Sequence, residues 1–179
     1  MSKKVLIISA SPRKHGNSDL LCDQFMAGAK DVGNSVEKIR VQEKNINFCL
    51  GCMACQNNGG KCIQNDDMAG ILEKMTAADV LVMATPVYFY TMNAQMKILI
   101  DRTHPKYPDF GTKDIYFIVS AADTSKEALE RTIEGFRGFT YCYSGLNEKG
   151  TVYGIGAANI GDIKGTPAME QAYEMGKNV

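Results

Sequence analysis

Four cysteines stand in one short stretch: Cys49-Leu50-Gly51-Cys52-Met53-Ala54-Cys55, then Cys62, a spacing of C-x2-C-x2-C-x6-C. Thiolates are soft ligands, and two-residue spacers let a chain curl so that successive sulfurs converge on one centre. Bacterial ferredoxins hold a cubane iron–sulfur cluster this way, with the last cysteine of the run serving a second cluster. Here Cys62 is near enough to complete the same one. Structural zinc suits the spacing less well, because it usually joins two separated C-x2-C knuckles. Zinc, free thiols and a disulfide formed on oxidation stay open as alternatives. Of the other two cysteines, Cys22 falls on the apolar side of a helix and reads as core. Cys142, between Tyr141 and Tyr143, has no assigned role.

A second set of residues could hold an anion. Ser9-Ala10-Ser11-Pro12-Arg13-Lys14-His15-Gly16-Asn17-Ser18 is rich in hydroxyls, carries a guanidinium and opens a helix. A helix N-terminus offers free N–H groups and partial positive charge, so phosphate binds there readily. Ser11, Asn17 and Ser18 can add side-chain bonds and Arg13 a charge-assisted one. The stretch lacks both G-x-G-x-x-G and G-x-x-x-x-G-K-[ST], so a mononucleotide suits it better than a dinucleotide. The plainer alternative is a strand-to-helix loop whose hydroxyls merely cap the helix.

Two further loops could flank a flat ring. Thr85-Pro86-Val87-Tyr88-Phe89-Tyr90-Thr91 places three aromatics in a row, suited to lining a heterocycle or to packing on a helix or a subunit interface. Ser120-Ala121-Ala122-Asp123 is short and small, so a ring or a nicotinamide can approach closely. His15 and His104 are isolated and read as solvated or structural. Asp101-Arg102 reads as structural.

These residues need a scaffold that gathers them. Val5–Ile8 is a continuous apolar run, as in a strand covered on both faces. Asn17 or Ser18 can cap a helix whose stripe is Leu20, Leu21, Phe25 and Ala29, ended by Gly33-Asn34. Val36–Val41 is half polar, as an edge strand would be. Asn45–Asn65 is irregular. Asp66 or Asp67 can cap a helix to about Thr76. Asp79–Ala84 is a third strand. Met92–Arg102 reads as a helix with Met92, Met96, Leu99 and Ile100 inward. Ile115–Val119 is a fourth strand, Ser125–Phe139 a helix, Thr151–Ile155 a fifth strand and Pro167–Gly176 a final helix. Alternating strands and helices predict a parallel α/β sheet. Right-handed crossovers at this length select a flavodoxin-like three-layer sandwich, five parallel strands in the order 2-1-3-4-5. A ligand then sits at the carboxyl edge, between strands 1 and 3.

The chain has 179 residues, 45% of them hydrophobic, which suits a single domain over residues 1–179 with the cysteine loop inserted after strand 2. Formal net charge is zero, which argues against a nucleic-acid partner. Val5–Ile8 is too short for a secretory h-region and no run approaches a membrane span, so the expectation is a cytoplasmic protein without a membrane partner.

Taken together, the motifs resemble the NAD(P)H-dependent FMN reductase-like flavoproteins, and specifically their iron–sulfur branch. Ser11-Pro12-Arg13 with Asn17-Ser18 is similar to the family's phosphate loop. Thr85–Tyr90, Asn93-Ala94-Gln95-Met96-Lys97 and Ile100-Asp101-Arg102 are similar to its flavin-ring loop and following helix. Gly161–Gly165 with Pro167-Ala168 resembles its C-terminal segment. The resemblance implies that Ser9, Ser11, Arg13, Asn17 and Ser18 hold the FMN phosphate. It implies that Pro86, Val87, Tyr88 and Phe89 contact the ring and ribityl; Ser120 and Ala121 join the expected cofactor site from the small loop after strand 4. It assigns a [4Fe–4S] cluster to Cys49, Cys52, Cys55 and Cys62. Ala10 stands where many relatives have glycine, which is tolerable if its φ stays negative. The implied activity is electron transfer from NAD(P)H or a small electron carrier through FMN to a small-molecule or protein acceptor, without an acid–base side chain. A homodimer or homotetramer is expected. The alternatives are a metal-free FMN or quinone reductase and a non-catalytic flavin- or zinc-binding redox sensor.

Overall fold

The structure is a computed structural model and describes residues 2–179. In chain order the elements are β1 (Lys4–Ser9), α1 (Asn17–Asp31), β2 (Ser35–Arg40), a short α2 (Ala54–Asn57), α3 (Met68–Ala77), β3 (Val80–Tyr88), β4 (Thr91–Met92), α4 (Ala94–Asp101), β5 (Asp109–Ser120), α5 (Glu127–Tyr141), β6 (Ser144–Gly154) and α6 (Pro167–Lys177). Single 3-10 turns follow β2 (Val41–Glu43) and α4 (His104–Lys106).

The sheet runs β2-β1-β3-β5-β6, all parallel. This is the expected flavodoxin-like order, with β5 and β6 as the fourth and fifth parallel strands. Alternation along the strands builds a core on each face. Leu6, Ile8, Leu81, Met83, Ile115 and Phe117 pack with α3, α4 and α5. Val5, Ile7, Val80, Val82 and Ile118 pack with α1 and α6. The two helices of that second layer meet at glycines: a Cβ on Gly28 would lie 2.0 Å from the Tyr173 carbonyl oxygen, and one on Gly176 2.2 Å from that of Phe25.

The sheet has a sixth strand that the sequence reading lacks. β3 runs through Pro86 and pairs antiparallel with β4, Val87 against Met92 and Tyr88 against Thr91. Phe89 and Tyr90, at φ 50° and 62°, make the two-residue turn. Positive φ at both positions is the twist-matched hairpin geometry usually signalled by Asn-Gly, so aromatics there hide it. The next helix accordingly starts at Ala94, where Asn93 caps it by accepting from the Met96 N–H. Helix α1 departs from the expected cap as well: Gly16 is the N-cap and makes no side-chain bond, because the Asn17 side chain is used elsewhere. β5 and β6 start earlier than expected, pairing through polar, glycine-containing stretches with two register breaks. Among the described residues no helix is long and apolar enough to cross a membrane.

Candidate functional site

The carboxyl ends of β1, β3 and β5 open into a cavity of about 240 Å³. Ser11, Arg13, Gly16, Asn17 and Ser18 line it from the first loop, Pro86, Val87 and Tyr88 from β3, and Ser120, Ala121 and Ala122 from the end of β5. Ala157 and Ala158, after β6, complete the wall. The two alanines escaped sequence reading because nothing polar or aromatic marks them; only the topology brings them here.

The loop is built to leave donors facing this space. Ser18 is buried at the edge of this cavity and its Oγ has no hydrogen-bond partner among the described residues, a cost that a ligand accepting from it would remove. The first N–H groups of α1 lack intrahelical acceptors by position. Gly16 keeps the cradle open, since a Cβ there would lie 2.5 Å from Ser11 Oγ and 3.1 Å from the Arg13 carbonyl oxygen. Ser11 Oγ accepts from the Arg13 N–H at 3.2 Å and donates to the Arg13 carbonyl at 3.0 Å, which curls the turn. Ala10 is not among the positive-φ residues, so alanine fits where glycine is usual. A buried hydroxyl and helix N–H groups around an apolar-walled slot fit a phosphate monoester carrying a flat ring.

Two expected side-chain roles change. Asn17 Nδ2 donates to the carbonyls of Ala157 (3.0 Å) and Asn159 (2.8 Å), and its Oδ1 accepts from the Gly161 N–H at 3.0 Å. Its side chain therefore pins the C-terminal loop, and its backbone N–H is what remains for a ligand. Arg13 Nη1 donates to the Ala158 carbonyl at 3.0 Å, closing the same wall, with the rest of the guanidinium exposed. Asn93 braces the floor, donating through Nδ2 to the Ala10 carbonyl at 2.6 Å. Ser9 and Phe89 are not brought to the cavity. Ser9 is buried at the end of β1 and donates to Asp19 Oδ1 at 2.8 Å. Phe89 is 99% exposed at the hairpin tip.

The four expected cysteines line a separate small cavity of about 30 Å³, with Arg102 and His104 beside them. It shares no lining residue with the larger one. Gly51 and Met53, both at positive φ, curl the loop. Arg102 staples it: buried, it donates from Nη1 to Asp66 Oδ2 at 2.6 Å and to the Asn47 carbonyl at 2.8 Å, and from Nη2 to Asp66 Oδ1 at 2.9 Å and toward Cys62 Sγ at 3.6 Å. The neighbouring Asp101 pairs instead with Lys97. Four thiols lining one cavity, with a guanidinium N–H directed at one sulfur, offer the soft donors a thiophilic centre uses, although no three of the sulfurs lie within 4.8 Å of one another. Cys49 and Cys52 are exposed and Cys55 and Cys62 half-buried, so the thiols are reachable from solvent. Cys22 is buried on the core-facing side of α1, and burial pushes its thiol pKa far up, as its core reading implies.

A larger groove of about 640 Å³ lies between α4 and α5, lined mainly by side chains such as Met92, Ile100, Phe139 and Tyr143. It contains none of the expected site residues, so volume alone does not identify the site.

A family model described as NADPH-dependent FMN reductase matches residues 3–143. An iron–sulfur flavoprotein of Methanocaldococcus jannaschii is 34% identical over 98% of this chain and 95% of its own. The iron–sulfur flavoprotein of Methanosarcina thermophila is 36% identical over 56% of this chain, but the match spans only 52% of that protein. Among solved structures, an NAD(P)H:quinone oxidoreductase from Methanothermobacter marburgensis superposes with a TM-score of 0.77 at 18% identity, covering 99% of this chain and 96% of that one. That likeness concerns the fold. The family match is direct, and the chain belongs to the NADPH-dependent FMN reductase family of flavodoxin-like oxidoreductases.

Proposed function

We propose that the chain binds FMN in the 240 Å³ cavity, takes electrons from NAD(P)H, and carries a [4Fe–4S] cluster on Cys49, Cys52, Cys55 and Cys62. The observation that carries the flavin site is that Ser11, Arg13, Asn17 and Ser18 of the first loop line one cavity with Pro86, Val87, Tyr88, Ser120 and Ala121, with the buried Ser18 hydroxyl unpartnered at the mouth of α1. Its donor, with the backbone N–H groups of Asn17 and Ser18, meets the phosphate, and the helix dipole favours the negative charge. Ser11 shapes the turn beneath, and Arg13 adds positive charge at the rim. Pro86, Val87 and Tyr88 wall one side of the ring, while Ser120 and Ala121 leave room for a nicotinamide to approach. FMN, when bound, accepts hydride and passes electrons onward; the protein's part is position and exclusion of water.

Support for the cluster comes from the C-x2-C-x2-C-x6-C spacing, from the four cysteines lining one cavity and from Arg102 beside Cys62. The metal-free reductase is the second reading, favoured by the exposure of Cys49 and Cys52 and the small cavity between them. We place the protein in the cytoplasm, where a reducing medium keeps its six cysteines out of disulfides. We assign it a homodimer or homotetramer, which would cover the exposed Phe89 and Tyr90.

Anaerobic purification with excess FMN, then flavin, iron and sulfide analysis and an NAD(P)H oxidation assay, tests the reading. Expected are one flavin per chain, iron and sulfide in equal amounts, and NAD(P)H turnover. Flavin with turnover but no iron selects the metal-free reductase. Flavin without turnover, or zinc without sulfide, selects a sensor. A protein that takes up no flavin overturns the reading.

A further inference from the structure

Helix α1 holds a buried carboxylate that faces away from the cavity. Asp19, in the first turn of α1, is 1% exposed and does not line the cavity. Its Oδ1 accepts from Ser9 Oγ at 2.8 Å and from Lys38 Nζ at 3.2 Å. Its Oδ2 accepts from the His15 N–H at 3.2 Å and lies 3.6 Å from Arg40 Nε. One carboxylate thus holds the last residue of β1 and the residue before the N-cap, the two ends of the loop that wraps the proposed phosphate. His15 has φ 55°, a conformation unusual away from glycine, and its N–H is turned inward to Asp19 rather than into the cavity.

A bare anion beside a phosphate site would repel the ligand. Here two cations from β2 stand against it. Lys38 also pairs with Asp23, and Arg40 with Glu43, so both cations are engaged by carboxylates and neither is available to the ligand. Asp19 bonds to none of the ring-side residues; its contacts run to the two ends of the phosphate loop and to β2.

Resting on the flavin reading above, we propose that Asp19, neutralised by Lys38 and Arg40, is a positioning residue that fixes the phosphate loop and so makes the site select a phosphorylated flavin over its unphosphorylated form. The geometry gives this an unusual sign. If Asp19 acted only through its charge, Asp19→Asn would remove a repulsion and tighten FMN binding. If it acts by position, Asn weakens binding, because one amide oxygen cannot replace two carboxylate oxygens that accept three hydrogen bonds and face the Arg40 guanidinium.

The test is titration of wild type and Asp19→Asn with FMN and with riboflavin, followed by flavin fluorescence. Expected is a loss of about tenfold or more in FMN affinity, the scale of one charge-assisted hydrogen bond, with riboflavin affinity within about twofold. Tighter FMN binding, unchanged FMN binding, or equal losses for both flavins overturns the proposal. Ser9→Ala removes one anchor and keeps the carboxylate; if Asp19→Asn does not fold, this variant must show the same selectivity more weakly, and an equal effect on both flavins overturns the proposal. Amide hydrogen exchange in the flavin-free protein separates this from the cofactor assignment. The His15 amide must exchange about tenfold faster or more in the variant, and unchanged exchange overturns the positioning role even if wild type binds no flavin.

Discussion

Ser18→Ala should strengthen the empty protein and weaken the loaded one. The Ser18 hydroxyl is buried without a partner, and such a group costs about 1–3 kcal/mol relative to a satisfied one. Alanine removes the hydroxyl without a clash and suits a helical position. The flavin-free variant should therefore be more stable by roughly 1 kcal/mol, a rise in Tm of about 2–4 °C for a chain of this size. With FMN the sign reverses, because a charge-assisted bond to phosphate contributes about 1.5–3 kcal/mol. Its loss weakens binding by roughly 10- to 150-fold. At a flavin concentration 100 times the wild-type Kd, ligand stabilisation of about 2.7 kcal/mol should fall to about 1.4 kcal/mol or less. Thermal melts of both proteins, each with and without FMN, give the four numbers. A flavin-free variant that melts lower, together with FMN affinity within about twofold of wild type, would refute the argument: the hydroxyl would then be held by something other than the cofactor.

Other consequences follow from the packing. Breaking the buried Asp66–Arg102 pair by Asp66→Asn should cost about 3–5 kcal/mol, since it leaves the guanidinium without its counter-charge. It should also alter the acid limb. Burial raises the Asp66 pKa, but Arg102 and the N–H groups of Asn47 and Met68 outweigh it and hold the carboxyl at about 2 against an ordinary 3.8. A depressed carboxyl contributes its stability, about 2 kcal/mol, above its ordinary pKa and loses it as pH falls toward the folded value. Urea melts between about pH 5 and pH 2 should show that loss in wild type and a flatter profile in the variant. Gly28→Ala should destabilise by about 1–3 kcal/mol or more, because its Cβ meets the Tyr173 backbone oxygen at 2.0 Å; thermal unfolding reads this directly, and a neutral result would mean that α1 and α6 can slide apart.

Much of this architecture was legible because local signals agreed. Val5–Ile8 and Val80–Ala84 are apolar runs too short for anything but buried strands, and Ser11, Asn17 and Ser18 are polar residues at a strand-to-helix junction. The hairpin was hidden because Phe89 and Tyr90 occupy positions where glycine or asparagine normally gives the signal. Asn17 looked like a cap, yet its partners are the backbone of Ala157, Asn159 and Gly161, far along the chain. The same distance concealed Arg102 as the staple of the cysteine loop: its partner Asp66 lies 36 residues away. Asp19 was invisible for a different reason. A single acidic residue early in a helix is ordinary, and only the arrival of Lys38 and Arg40 on the next strand makes it a buried node.

The central claim is that the cofactor's phosphate rests on the first turn of α1. Proton–nitrogen correlation spectra of labelled protein, recorded with FMN and separately with riboflavin, test it most directly. The account predicts that FMN shifts the Asn17 and Ser18 amides strongly while riboflavin leaves them nearly unmoved, with both flavins shifting Val87, Tyr88 and Ala121. Saturating FMN that leaves Asn17 and Ser18 in place and perturbs the groove between α4 and α5 would contradict it.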